Sequence, residues 1–237
     1  MNEKKPAKTF KQLVVGFSKF LIRLVLRIFF DCRYHYEQPL PTEGPVIFAS
    51  NHLSYFDPPT VGAGIDLDVY FMAKTELFKN PLFGALIRYY HALPIRRGGM
   101  DWGAVSRLRE ILNSGGAALL FPEGTRSLDG HLGKGRFGVG LLAQQTGAAI
   151  VPIYVRGTDR LLDAFLRRRP MAVFYERPIT SEQYAGFESS TQGQLAISRL
   201  IMERIAAMQQ AYDTGSPSPA ARELPSSDEK NNRTLTE

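Results

Sequence analysis

Five short apolar runs, at residues 46–49, 69–72, 117–121, 150–155 and 172–175, alternate with segments of helical periodicity. Runs of four to six residues rich in Val, Ile, Leu and Phe are too short for core helices and have the composition of buried strands. The intervening segments at 58–64, 82–89, 102–112 and 137–145, and a long one at 195–212, place apolar side chains at helical spacing. Strands that alternate with helices form parallel pairs through crossover connections, with helices covering both faces. The expected fold class is therefore α/β, with a largely parallel central sheet covered by helices and an N-terminal amphipathic membrane-interface helix. A chain of 237 residues, 44% hydrophobic, can build one such domain.

The two ends differ from this middle. The formal charge of +6 is concentrated in residues 1–33, which alone sum to +6, whereas residues 213–237 sum to −2. The basic character belongs to one end of the chain, which argues against a nucleic-acid partner. Residues 13–30 are strongly apolar, interrupted by Lys19, Arg23 and Arg27. Cations spaced four apart line one stripe of a helix, and each would cost roughly 2.5–3.5 kcal/mol near the middle of a span. The expectation is a helix lying in the bilayer interface, cations toward lipid phosphates and apolar side chains among the acyl chains. The alternative is a helix packed on the protein's own core, with the stripe in water. No small-residue cleavage site follows Phe30, which argues against a signal peptide. From Asp213 the chain turns rich in Ser, Pro, Asn and charge and is expected to be disordered. The expected organisation is a basic interface segment at 1–33, an α/β domain at 34–212 and a tail at 213–237.

Ligands of open α/β sheets collect beyond the carboxyl ends of the strands. Asn51-His52-Leu53-Ser54-Tyr55-Phe56-Asp57-Pro58 follows the first buried run. On a continuous helix His52 and Asp57 would stand about 140° apart, but Pro58 suits a first helical position and disfavours helix before it. A turn there can return the Asp57 carboxylate to the imidazole, fixing its tautomer and supporting it as a general base. The second charged turn, Phe121-Pro122-Glu123-Gly124-Thr125-Arg126-Ser127, leaves the third run. Its Gly124 permits close backbone approach, Arg126 offers a fork for phosphate and Glu123 can orient that fork.

These blocks resemble the glycerolipid acyltransferases, most closely the 1-acylglycerol-3-phosphate acyltransferases. Asn51-His52 through Asp57 is similar to the family's first block, and Lys74-Thr75-Glu76-Leu77 with Pro81 and Gly84 to the stretch after it. Ala92-Leu93-Pro94-Ile95-Arg96-Arg97-Gly98 is similar to the second block, its Arg falling on Arg97 and Arg96 standing where an acidic residue is common. Phe121 through Ser127 matches the third without departure, and Ile150-Val151-Pro152-Ile153 the fourth. The resemblance covers about residues 44–157. It implies that His52 deprotonates the acceptor's glycerol hydroxyl, Asp57 holds His52, and Arg97, Glu123, Gly124, Thr125 and Arg126 position the acceptor's phosphate. Asn51, Lys74 and Lys134 would support the site, and Lys19, Arg23 and Arg27 would touch membrane lipid. The implied acceptor is lysophosphatidate and the implied donor acyl-CoA or acyl carrier protein. The implied address is monotopic, on the cytoplasmic face of the inner membrane in a bacterium. Other lysophospholipids, a lyso-aminolipid or glycerol 3-phosphate remain open as acceptors. A catalytically silent lipid-binding protein and a hydrolase are the readings from other classes.

Other signals are weaker. No Gly-x-Ser-x-Gly elbow supports an acyl-enzyme. His35, His52, His91 and His131 show no metal-ligand spacing, so neither a metal nor another cofactor is expected. Gly133-Lys134-Gly135-Arg136-Phe137-Gly138 is a literal Gly-x-Gly-x-x-Gly, but eleven residues separate it from the preceding strand, whereas a dinucleotide site needs direct succession. Cys32, the single cysteine, reads as a packing residue.

Overall fold

The computed structural model describes residues 9–96, 99–166 and 168–215. Seven strands form one sheet: β1 (Arg33–Tyr36), β2 (Val46–Ser50), β3 (Val69–Lys74), β4 (Ala92–Ile95), β5 (Ala117–Leu120), β6 (Ala149–Arg156) and β7 (Ala172–Tyr175). Their spatial order is β1-β7-β6-β2-β5-β3-β4. Every pair is parallel except β6 with β7, so the last two strands at one edge run against the other five. The helices are α1 (Phe10–Phe30), α2 (Asp57–Ala63), α3 (Pro81–Tyr89), α4 (Trp102–Asn113), α5 (Phe137–Thr146), α6 (Leu161–Phe165), α7 (Ser181–Tyr184) and α8 (Thr191–Thr214), with a 3-10 turn at Thr75–Phe78.

All five residues of β2 are buried, as a strand paired on both sides and covered on both faces requires. Alternate residues feed different cores. Ile47 and Ala49 join Leu108 and Leu112 of α4, Leu142 of α5 and Ile197, Ile201 and Ile205 of α8. Val46 and Phe48 join Val61 of α2, Val151, Val173 and Tyr175, with Leu26 and Phe30 of α1 packed against them. Side-chain caps set the helix starts: Asn80 accepts from Phe83 N–H, Asp101 from Ala104 N–H and Ser190 from Gly193 N–H. Cys32 is buried in the second core, and burial pushes its thiol up to about 11.

Two strands escaped the hydrophobic pattern. β1, with sequence Arg-Tyr-His-Tyr, is an edge strand held by stacking of His35 on Phe174 (4.6 Å between ring centroids) and Tyr36 on Tyr175 (4.8 Å). β4 is the opposite edge and contains Pro94, which an edge tolerates because no ladder bond is lost there. The tail boundary also moves. Asp213 and Thr214 continue α8 and Gly215 caps it, Asp213 pairing with Arg156 at 3.8 Å; residues 216–237 lie outside the described residues.

Helix α1 departs most from expectation. Two members of its cationic stripe, Lys19 and Arg23, turn toward the domain, while the Arg27 side chain stays 55% accessible. The Lys19 ammonium donates to Ile65 O and Leu67 O, 2.8 Å each, beyond the end of α2. Arg23 lies close enough to the Tyr36 phenol to oppose the upward push of burial on it, and Arg27 pairs with Asp31 one turn on. Loop carbonyls need donors, and the long basic side chains reach them while their stems pack. The outward face is Phe10, Leu13, Phe17, Phe20, Leu21, Leu24, Val25, Ile28 and Phe29, all exposed, with Phe10 81% and Phe17 67% accessible.

Candidate active site

The register of the central strands builds the site. β2 pairs with β5 so that Ala49 lies opposite Leu120, and the loops leaving both strands therefore start side by side. His52 sits two residues beyond β2 and Phe121 one residue beyond β5. Their rings stack at 4.0 Å with 19° between planes. His52 Nδ1 lies 2.7 Å from Asp57 Oδ2, closing the turn expected from Pro58. Asp57 opens α2, but its carboxylate points back at the loop instead of capping the helix. Oδ2 also accepts from Leu53 N–H (2.6 Å) and Ser54 N–H (2.7 Å), and Oδ1 accepts the Thr158 hydroxyl at 2.5 Å. Asp57 is fully buried, and four donors are what a buried carboxylate needs to remain without a counter-ion. A carboxylate only accepts, so the imidazole proton resides on Nδ1 and the lone pair on Nε2. The His52 side chain is 17% accessible, which leaves that lone pair within a substrate's reach.

Glu123 departs from its expected role on the substrate phosphate. It is buried, Oε1 accepts the His52 N–H (3.0 Å) and Oε2 the Gly133 N–H (2.9 Å). Burial pushes its carboxyl above the ordinary range, against the pull of those two donors. Both oxygens are spent on backbone, and a carboxylate would repel a phosphate. Glu123 is a brace that ties the His52 loop to two points of the β5–α5 loop. Ser127 N–H donating to His52 O at 2.7 Å adds a second brace. Asn51 likewise stays inside: its amide donates to Val155 O and accepts from Val155 N–H, locking the ends of β2 and β6 together. Gly124 takes a φ of +69, with the Arg136 side chain against it, and its N–H closes a turn to Phe121 O. The Thr125 hydroxyl donates to Arg126 O.

Two of the expected cations do converge, on a residue that the sequence reading passed over. The Arg126 guanidinium lies 3.8 Å from the Tyr55 ring centroid. The Lys74 ammonium donates to the Tyr55 hydroxyl at 3.0 Å. Tyr55 is three residues from His52 on the same loop, so both cations are held by the loop that carries the imidazole. Lys134 and Arg136 are exposed on the loop before α5. Arg97 lies outside the described residues. Tyr55 could have been suspected from its place inside the His52–Asp57 block. Thr158 carried no signal, since its link to Asp57 spans 101 residues of sequence.

A histidine–aspartate pair thus stands at the carboxyl edge of the parallel strands, on a loop whose Tyr55 holds two cations. The chain belongs to the acyltransferase family: the family model described as Acyltransferase matches residues 31–156, more than half of its length. It is 32% identical over 146 residues to a chloroplastic 1-acyl-sn-glycerol-3-phosphate acyltransferase of Arabidopsis thaliana, covering 58% of this chain and 40% of that one. It is 26% identical over 194 residues to the 1-acyl-sn-glycerol-3-phosphate acyltransferase of Bacillus subtilis, covering 81% and 89%. The chain thus spans about two fifths of the chloroplast relatives and most of the bacterial one. Its fold is similar to the crystal structure of the 1-acyl-sn-glycerophosphate acyltransferase PlsC from Thermotoga maritima, with a TM-score of 0.56 at 22% identity over 83% of this chain and 87% of that one.

Proposed function

We propose that the protein moves an acyl group from a thioester to the free sn-2 hydroxyl of 1-acylglycerol 3-phosphate, giving phosphatidate. The observation that carries this reading is the His52–Asp57 pair at 2.7 Å, on a loop whose Tyr55 holds the cations Lys74 and Arg126. His52 Nε2 takes the hydroxyl proton as the oxygen bonds to the acyl carbon. The C–S bond breaks, the thiolate leaves, and the proton passes from His52 to solvent or to that thiolate. Asp57 holds the imidazole and stabilises the cation it becomes. Arg126 and Lys74 bind the acceptor's phosphate, with Arg97 as a third candidate. The donor is acyl-CoA or acyl carrier protein as a substrate; the chemistry calls for neither a metal nor an acyl-enzyme.

The outward face of α1 supports attachment to one leaflet. Immersing a large apolar side chain is worth about 1.5–3 kcal/mol, and nine stand exposed on this helix. The surface continues at both ends: Lys11 lies 5.3 Å from the Tyr89 ring of α3, whose Leu82, Phe83 and Leu86 are exposed. Phe29 stacks on the exposed Phe165 of α6 at 6.4 Å. Among the described residues no helix is long and apolar enough to cross a membrane. The reading is monotopic association, on the cytoplasmic face of the inner membrane in a bacterium.

A second acceptor is favoured by one observation. The chain is also 33% identical over 137 residues to a protein of Pseudomonas aeruginosa named lyso-ornithine lipid O-acyltransferase, covering 57% of this chain and 51% of that one. The test supplies vesicles of lysophosphatidate or lyso-ornithine lipid with acyl-CoA or acyl carrier protein, and reads the lipid product by mass spectrometry. Phosphatidate supports the first reading. Product from the ornithine lipid alone moves the acceptor. Free fatty acid formed without acceptor makes the protein a hydrolase, and no turnover with any pair refutes acyl transfer.

A further inference from the structure

The residue that completes the base lies outside every motif recognised so far. Thr158 follows β6 after Arg156 and Gly157, two residues beyond the segment that the family model matches. Two features deliver it to Asp57. Asn51 extends the β2–β6 ladder with its side chain after main-chain pairing ends, taking both the N–H and the C=O of Val155. Gly157 then turns the chain with a φ of +78, in a place where a Cβ would meet Met171 Cα and Pro170 O at 3.1 Å. Both left-handed backbone and lack of space restrict that position to glycine. The turn seats the Thr158 side chain in the interior, 1% accessible, with its hydroxyl 2.5 Å from Asp57 Oδ1.

We infer that Thr158 is a positioning residue for the acyl-transfer base: its hydroxyl fixes Asp57 Oδ1 so that Oδ2 stays in line with His52 Nδ1. The division of labour within the carboxylate favours this. Oδ2 serves His52 and two loop N–H groups, whereas Oδ1 has Thr158 as its partner. Without that fourth donor the carboxylate can rotate about its Cβ–Cγ bond, and rotation misaligns the acceptor that sets the His52 tautomer. A hydrogen bond to a charged group in a dry interior is of the strong kind. The competing role is simple space filling. Valine separates the two, because it matches the shape of threonine and replaces only the hydroxyl with a methyl group.

This inference rests on the proposed reaction, and the experiment keeps the two apart by including wild type and His52→Ala. If wild type makes no acylated lipid, the functional reading fails and the kinetic arm is void, while the spectroscopic arm below still decides on Thr158. With wild type active, Thr158→Val is expected to lower kcat about 10- to 100-fold, the rate equivalent of one charge-assisted hydrogen bond. KM for both substrates should stay within about threefold, because Thr158 touches neither. Thr158→Ser, which restores the hydroxyl, should recover most of kcat. The readout independent of turnover is the far-downfield proton resonance of the His52 Nδ1–H. It should shift or broaden in Thr158→Val and return in Thr158→Ser. Melting curves accompany each variant, with Thr158→Ala standing in if the valine variant fails to fold. Wild-type kcat with an unmoved resonance in a folded hydroxyl-free variant would overturn the inference. So would a loss of activity that only tracks the loss of folded protein.

Discussion

The rim around His52 and the helix α1 solve the problem of placing polar groups in opposite ways. At the rim, charge lies within reach of water while its supports are buried: Asp57 and Glu123 are inside, their oxygens matched to named donors, and Tyr55, Arg126 and the edge of His52 face out. On α1 the sense is reversed. Lys19 and Arg23 turn inward onto Ile65 O, Leu67 O and the Tyr36 phenol, and the outward face is hydrocarbon. A protein surface mirrors its solvent. On the proposed function the rim would meet a polar headgroup and α1 the acyl chains, two demands of a substrate that has both.

Four variants press on that contrast. Asp57→Asn keeps the shape at the rim and removes the charge behind His52, and kcat is expected to fall about 10²–10⁴-fold with KM little changed. A variant retaining more than a tenth of wild-type turnover would detach Asp57 from the base. Cys32, directly beyond α1, reports on the helix seat. With its thiol raised from 9.0 to about 11, its thiolate fraction at neutral pH is about 100-fold below that of a free cysteine, and maleimide labelling should be slowed at least that much. Labelling as fast as in urea would mean that α1 is not docked as described. Arg126→Ala should raise KM for the phosphate-bearing acceptor about 10- to 30-fold while kcat changes far less; an unchanged KM removes Arg126 from phosphate binding. Smallest is the α1 pair. Phe17→Ala should weaken vesicle binding about tenfold, whereas Arg27→Gln should alter it less than about twofold, its charge being matched by Asp31. Reversed magnitudes in a flotation assay would restore the arrangement with cations toward lipid.

What the sequence disclosed, and what it hid, follows the same physics. The strands at 46–50, 69–74, 117–120, 149–156 and 172–175 were legible from the apolar runs 46–49, 69–72, 117–121, 150–155 and 172–175, because strands enclosed in a covered sheet are largely apolar. His52 and Asp57 were legible as a pair because Pro58 forces the turn that joins them. β1 was not, because Arg-Tyr-His-Tyr carries no apolar run, and β4 was not, because Pro94 interrupts the apolar Ala-Leu-Pro-Ile and speaks against a strand. The α1 stripe was visible as a stripe, but helical spacing fixes only that Lys19, Arg23 and Arg27 share a side. Which side meets the domain depends on carbonyls at Ile65 and Leu67, more than forty residues away. Glu123 was read locally as orienting Arg126 and placed on the substrate's phosphate by the family resemblance, and only the chain path shows its oxygens taken by His52 and Gly133 N–H groups. Thr158 was invisible for the same reason, and Tyr55, though inside the His52–Asp57 block, had no visible partners: a contact partner is a property of the fold, not of a local motif.

The most direct test of the account follows thiol release from acyl-CoA on vesicles, with and without lysophosphatidate, for wild type beside His52→Ala. Release that requires the acceptor in wild type and falls at least about 100-fold in the variant is the predicted result. Equal release by both proteins, or release by wild type without acceptor, would contradict a base that activates the acceptor's hydroxyl.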